Sequence, residues 1–141
     1  MTIWDFSALV SKRLMNWNYV NLGIGALLML VGGRFLRGVG SQFAGWAAIN
    51  LGIGWFGSRA NTERAARPDA KSPLIREMQA RSLRRLLWIN AGLDVLYMIG
   101  GLWYGLRAKA ARGRGMGVGV IFQGLFLLIF DVLQAREVPE R

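Results

Sequence analysis

Six polar side chains stand inside otherwise apolar stretches of this sequence, and their types could support chemistry. They are two carboxylates and four amides: Asp94, Asp131, Asn21, Asn50, Asn90 and Gln123. A charged carboxylate near the centre of a bilayer costs roughly 2.5–3.5 kcal/mol on insertion scales, so it usually faces a partner or a cavity. Carboxyl and amide groups together can relay protons or hydrogen-bond a small solute. The six residues are predicted to form an intramembrane polar cluster, which is a candidate ligand or proton site.

The two carboxylates have different surroundings in the sequence. Asp94 lies eight residues into its apolar stretch, roughly 12 Å along a helix axis. No Lys or Arg is expected at that depth, so we expect Asp94 to be protonated or linked to water. Asp131 lies about one turn from the end of its stretch, where an ion pair with Arg84 or Arg85 is the expected role.

The amides admit two interpretations. Asparagine and glutamine in membrane helices often only fix helix register, at about 0.6 kcal/mol per hydrogen bond on average. The alternative is a polar pocket, open to the cytoplasm, that binds a small solute or relays protons. The structural interpretation is the one the sequence favours.

The composition excludes several kinds of active site. The chain has no cysteine and no histidine, so disulfides, thiolate metal sites and triads built on Cys or His are ruled out. We expect no cofactor, no metal and no enzymatic activity. The formal charge of +10 comes from basic residues that flank apolar stretches, which is typical of membrane topology. No nucleic-acid partner is expected.

Four apolar stretches must position the polar cluster. Each has about 20 residues, which is the length that a helix needs to cross a bilayer. They cover residues 14–33, 38–58, 86–106 and 115–134. The predicted fold class is an all-α membrane protein with four transmembrane helices in a single membrane domain, residues 1–141. The remaining segments are an N-terminal stretch (1–16), a central loop (59–85) and a tail (135–141).

The distribution of Lys and Arg predicts the orientation. Twelve of them lie in the N-terminal segment, the central loop and the tail, whereas six lie in the two other connections. The positive-inside rule then places both termini and the central loop in the cytoplasm. The expected location is the bacterial inner membrane, with dual topology as an alternative.

Two amphipathic segments are predicted to lie on the membrane surface. Residues 4–17 place Phe6 and Val10 on one helical face. In the central loop, Ser72 and Pro73 predict the start of a helix over 73–85. Its basic face is expected to attract anionic lipid headgroups, through Arg76, Arg81, Arg84 and Arg85.

Internal similarity predicts two pseudo-repeated helical hairpins. A shift of 69 residues aligns Asn21 with Asn90 and Gly23 with Gly92, as expected when one hairpin repeats the other. Two small-xxx-small patterns flank the connection between the third and fourth spans, where we expect these two helices to cross tightly. Their residues are Gly101, Gly105, Gly115 and Gly119.

The pattern Arg85-x-x-Trp88-x-Asn90-x-Gly92-x-Asp94, followed by Gln123-Gly124 and Phe130-Asp131, resembles an uncharacterised bacterial family of small four-helix integral membrane proteins. The resemblance implies a fold and no function. We expect a structural or accessory membrane subunit, or a homo-oligomeric scaffold. The alternative is a small channel or proton-coupled transporter centred on Asp94.

Overall fold

The computed structural model describes residues 1–139, and all regular structure in that range is helical. Helix α1 spans Ile3–Val31, α2 Arg34–Ala65, α3 Pro73–Arg107 and α4 Ala111–Glu137, with a short 3-10 helix at Pro68–Lys71 between α2 and α3. The predicted all-helical fold with four long helices is confirmed.

The helix starts follow local sequence signals. The Thr2 hydroxyl accepts a hydrogen bond from the backbone N–H of Asp5, whose carboxylate accepts from the Thr2 N–H in return. Hydrogen bonds that the Thr2 hydroxyl and the Thr2 backbone N–H donate to the Asp5 carboxylate lower the pKa of this exposed group below its ordinary value. Helix α3 begins as predicted, with Ser72 at the N-cap and Pro73 in the first turn.

Three of the four long helices, α1, α3 and α4, are long and apolar enough to cross a membrane. Helices of 27 to 35 residues extend about 40 to 52 Å, which exceeds the roughly 30 Å hydrocarbon layer. Helix α2 contains the predicted span 38–58 but is not among the three. Its glycines, together with Ser41, Gln42 and Asn50, dilute its hydropathy.

The helices pack in a defined set of pairs. Helix α1 packs on α2, α3 packs on α4, and α2 also packs on α4. The start of α1, the segment between α2 and α3, and the end of α4 meet at one end of the bundle, where Trp4 Nε1 donates to the carbonyl of Ala70. The connections at residues 32–33 and 108–110 lie at the opposite end.

Glycines set the close approaches between helices. A Cβ atom on Gly25 of α1 would lie 2.8 Å from the carbonyl oxygen of Gly40 on α2. Gly38 of α2 lies in the same way against the backbone of Arg112 on α4. Backbones that touch in this manner gain van der Waals contact, which is the main source of helix association in lipid.

The predicted glycine set is divided between two interfaces. Gly101 and Gly105 of α3 contact Gly117 of α4, so α3 and α4 do cross closely there. Gly115 and Gly119 were expected at the same crossing, but they face Phe35, Val39 and Gln42 of α2. Positions two residues apart on a helix point in nearly opposite directions, so Gly117 faces α3 while its neighbours face α2.

The predicted surface segment at the N-terminus is part of α1 and is packed against protein. Phe6 and Val10, which we expected to lie on lipid, are buried in a cluster with Leu87 of α3 and Ala135 of α4. No Gly or Pro interrupts the chain between Ile3 and Leu22, so the segment continues directly into the span.

The predicted surface segment 73–85 forms the first part of α3. Its apolar residues Leu74 and Met78 are exposed. Of the four arginines assigned to lipid headgroups, Arg76 and Arg84 are half-buried, whereas Arg81 and Arg85 are exposed. Arg84 donates to the Val138 carbonyl, and Arg81 forms an ion pair with Glu77. Binding of headgroups by these arginines stays a prediction.

Replacing Gly117 with alanine should weaken the bundle, because the new Cβ would lie 2.6–2.8 Å from backbone atoms of Gly105 and Gly101. Overpacking of this kind costs about 1–3 kcal/mol. The unfolding midpoint of the detergent-solubilised protein should fall. Gly92→Ala is the matched control, because nothing lies within 4 Å of its added Cβ. Equal stability of the two variants would contradict this account of the crossing.

Candidate functional site

Two carboxyl groups meet where α3 and α4 pack together. Asp94 of α3 and Asp131 of α4 are 3% and 7% exposed, and their carboxyl groups lie within hydrogen-bond reach of each other. A carboxylate oxygen only accepts hydrogen bonds. Two facing carboxyl groups can therefore bond only when one of them carries a proton, or when a cation lies between them.

The spacing of small residues brings the two carboxyl groups to the same level. On α3, Leu87, Asp94 and Gly101 are seven residues apart and all buried. On α4, Gly117, Gly124 and Asp131 follow the same spacing and are also buried. Residues seven apart share one face of a helix, so each carboxyl lies on the packing face. A Cβ on Gly124 would lie 3.0 Å from the Asp94 carbonyl oxygen, which shows how closely the backbones approach.

One buried oxygen of the pair has no donor. Asp94 Oδ2 is shielded from solvent, and no N–H or O–H group in residues 1–139 donates to it. Buried polar atoms in proteins are almost always hydrogen-bonded, so an orphan acceptor needs a specific explanation. A proton, a water molecule or a bound cation would satisfy Oδ2.

The carboxyl pair opens onto a cavity of about 180 Å³ between the helices. Asn50 of α2 and Asn90 of α3 line this cavity beside Asp94 and Asp131. Four of the six predicted site residues thus surround one cavity, which we call the carboxyl cavity. Their functional role stays a prediction.

An aromatic corner forms another wall of the carboxyl cavity. Trp46 of α2 and Tyr97 of α3 both line it, with ring centroids 4.9 Å apart and planes inclined by 59°. Ile49, Ile53 and Leu93 add apolar surface around the rings. The cavity therefore combines acidic, amide and aromatic groups, a composition suited to a small molecule with charged and apolar parts.

The remaining two predicted residues form a separate pair. Asn21 Nδ2 donates to Gln123 Oε1 at 2.7 Å, and Gln123 Nε2 donates to Asn21 Oδ1 at 3.1 Å. Both side chains are fully buried. This reciprocal bond joins α1 to α4 and matches the register-fixing role that we expected for membrane amides. Neither residue lines the carboxyl cavity.

Asn18 was not among the predicted residues, although it is completely buried. Its Oδ1 accepts from Asn50 Nδ2 at 3.4 Å, and its Nδ2 donates to the Leu14 carbonyl at 2.8 Å. Asn18 thus orients Asn50 at the wall of the carboxyl cavity. Its position three residues before Asn21, on the same helical face, is a signal that the sequence does contain.

The expected ion pair of Asp131 with Arg84 or Arg85 is wrong. Arg84 instead donates to the backbone carbonyl of Val138 at 3.0 Å. The salt bridges among residues 1–139 are Arg13–Glu137, Arg59–Glu63 and Arg81–Glu77, and none reaches Asp131. The partner of Asp131 is another acid, so no fixed positive charge in the described residues neutralises the pair.

Comparison with known proteins identifies a family whose function is unknown. No curated protein and no solved structure matches the chain. Residues 13–132 match a family of unknown function, DUF6992. The match covers most of the chain, including α2, α3 and most of α4. The chain, with its four long helices and buried carboxyl pair, belongs to the family of unknown function DUF6992.

Proposed function

We propose that this protein is a small membrane carrier whose Asp94–Asp131 pair binds a proton and exchanges it for a cation. The observation that carries the proposal is the orphan acceptor Asp94 Oδ2, buried beside a second carboxyl group. Register-fixing needs only neutral amides, such as the Asn21–Gln123 pair. Two buried acids add a desolvation cost that a purely structural role does not require.

Either a proton or a cation can satisfy the carboxyl pair, and the exchange replaces one with the other. With one shared proton, the two carboxyl groups hydrogen-bond to each other and carry one negative charge. With a cation bound between them, the proton is not needed. Because proton and cation satisfy the same oxygens, binding of one favours release of the other, which is the linkage that a coupled carrier needs.

Access from two sides is supported by a second cavity. It has a volume of about 420 Å³ and is lined by Gln42, Leu96, Gly100 and Met116 among others. It lies toward the connections at 32–33 and 108–110. Tyr97 lines both this cavity and the carboxyl cavity. A side chain between two cavities is suited to closing one while the other is open.

The topology is part of the proposal. We place four helices across the bacterial inner membrane as two pseudo-repeated hairpins, with both termini and residues 59–85 in the cytoplasm. The first part of α3 lies at the membrane surface, where the exposed side chains of Arg81 and Arg85 can meet anionic headgroups. The proposal includes no catalysis and no nucleic-acid partner.

A second candidate function is a scaffold or accessory subunit that packs with further copies or with other membrane proteins. One face of α2 carries small residues at Gly45, Ala48 and Gly52, and nothing lies within 4 Å of a Cβ added to either glycine. Small residues that face lipid allow a second helix to approach closely. This observation favours a homo-oligomer and is compatible with a carrier.

Replacing Asp94 with asparagine should abolish exchange, because the pair then lacks the group that shares the proton. Proteoliposomes with an acidic, dye-loaded interior would be diluted into chloride salts of different monovalent cations. At least one cation should accelerate internal alkalinisation by the wild type, and Asp94→Asn and Asp131→Asn should fall to the protein-free rate.

Asp69→Asn is the matched control for this experiment, because Asp69 is an exposed carboxylate outside the predicted spans. It should exchange like the wild type. Undiminished exchange in Asp94→Asn, or no acceleration of the wild type by any cation, would contradict the carrier proposal.

Replacing Gly52 with leucine should disrupt a homo-oligomer that uses the exposed face of α2, because a large side chain keeps the second helix away. Native mass spectrometry of protein gently extracted from its own membranes should show the wild type as an oligomer and Gly52→Leu as a monomer. Gly23→Leu is the control on α1, also at an open position. A stoichiometric foreign partner would instead support an accessory subunit.

A further inference from the structure

We propose that the cation taken up by the carboxyl cavity is a small organic ammonium ion, held by the carboxyl pair and by the Trp46–Tyr97 corner. This inference rests on the proposed exchange at Asp94 and Asp131 and adds the chemical class of the substrate. Its support is the aromatic and apolar lining of the carboxyl cavity, which plays no part in the exchange of a proton for a cation.

The aromatic corner supplies what an ammonium ion needs. The face of a tryptophan or tyrosine ring attracts a cation within about 6 Å of its centroid. Trp46 and Tyr97 stand 4.9 Å apart at an inclination of 59°, so a cation in their corner can approach both rings. Both rings line the cavity that also holds Asp94 and Asp131. Carboxyl oxygens and ring faces together surround a cation with negative potential.

The size and walls of the cavity favour an organic ion over a metal ion. A volume of about 180 Å³ equals about six water molecules at roughly 30 Å³ each, far more than a bare metal ion fills. Hard cations prefer shells of six or more oxygen ligands, whereas Ile49, Ile53 and Leu93 offer only carbon. Residues 1–139 contain no cluster of three or more Asp, Glu, His or Cys that could hold a metal.

The exchange balances in charge. Before binding, the pair holds one proton and carries one negative charge. Binding of a monovalent ammonium ion releases that proton to water, and two carboxylates plus one cation again carry one negative charge. No covalent bond to carbon forms or breaks, and no oxidant or reductant is needed.

The titratable groups around the cavity are few. Asp94 and Tyr97 come from α3 and Asp131 comes from α4, while α1 contributes Leu14 and α2 contributes Trp46, Ile49, Asn50 and Ile53, none of which titrates. Among residues 1–139, no Lys or Arg lines the cavity. Cation binding and proton release are therefore assigned to the carboxyl pair.

The test is equilibrium binding of radiolabelled choline to the full-length protein in detergent, with proton release followed by a pH dye in weak buffer. Choline should bind with release of about one proton, and its uncharged carbon isostere 3,3-dimethylbutan-1-ol should not compete. Trp46→Leu should weaken choline binding about 5- to 30-fold, and Trp46→Phe should recover part of the loss.

Trp55→Leu is the matched control, because Trp55 is an exposed tryptophan on the same helix that does not line the cavity. It should bind choline like the wild type. Asp94→Asn should abolish proton release, whereas Trp46→Leu should still release a proton at a higher choline concentration, which shows that the variant is folded.

The possible results distinguish the carrier proposal from the organic-cation inference. Proton release by sodium or lithium through Asp94, without binding of choline, would overturn the organic-cation inference and leave the carrier proposal standing. Undiminished choline binding by Trp46→Leu, or equal binding of the uncharged isostere, would also overturn the inference. Absence of proton release with every cation would overturn both.

Discussion

The structure depends on one constraint: two acidic side chains face each other in the interior of a helical bundle, and no basic residue in the described part of the chain pairs with them. Asp94 and Asp131 are joined by the packing of α3 on α4, and the salt bridges of residues 1–139 leave them out. Isolated charge in an apolar interior is costly. We infer that the pair holds a proton or a cation, and the carboxyl cavity beside it has room for a cation.

Close backbone packing places the pair. Gly117 and Gly124 allow α4 to approach α3, and they lie fourteen and seven residues before Asp131, respectively. The same helix uses Gly115 and Gly119 to approach α2 on its other side. Helix α4 is thus held from two directions, and the buried Asn21–Gln123 bond ties it to α1. This network leaves the carboxyl cavity as a gap whose walls come from all four helices.

The sequence predicted the elements well because the relevant physics is local. Apolar runs of bilayer length mark the helices, and Ser72-Pro73 marks the start of α3. The pairing of Asp94 with Asp131 depends on the register between α3 and α4. In the sequence, only the seven-residue spacing of glycines and acidic residues indicates this register. Phe6 and Val10 were assigned to lipid because an apolar helical face is the same whether lipid or protein covers it. The repeat aligns Asn21 with Asn90 but Asn18 with Leu87, so it does not indicate Asn18, although Asn18 and Asn21 are both buried.

The most direct measurement of the central claim is infrared difference spectroscopy of the membrane-reconstituted protein, comparing the wild type with Asp94→Asn and Asp131→Asn in H₂O and D₂O. The account predicts, near neutral pH, a carbonyl stretch from one protonated carboxyl group that shifts in D₂O. The band should disappear or move in both variants, because the two side chains share one proton. In the absence of any cation that the exchange assay identifies as a substrate, a wild-type spectrum with only ionised carboxylates, or a band unaffected by both substitutions, would show that the two side chains do not share a proton.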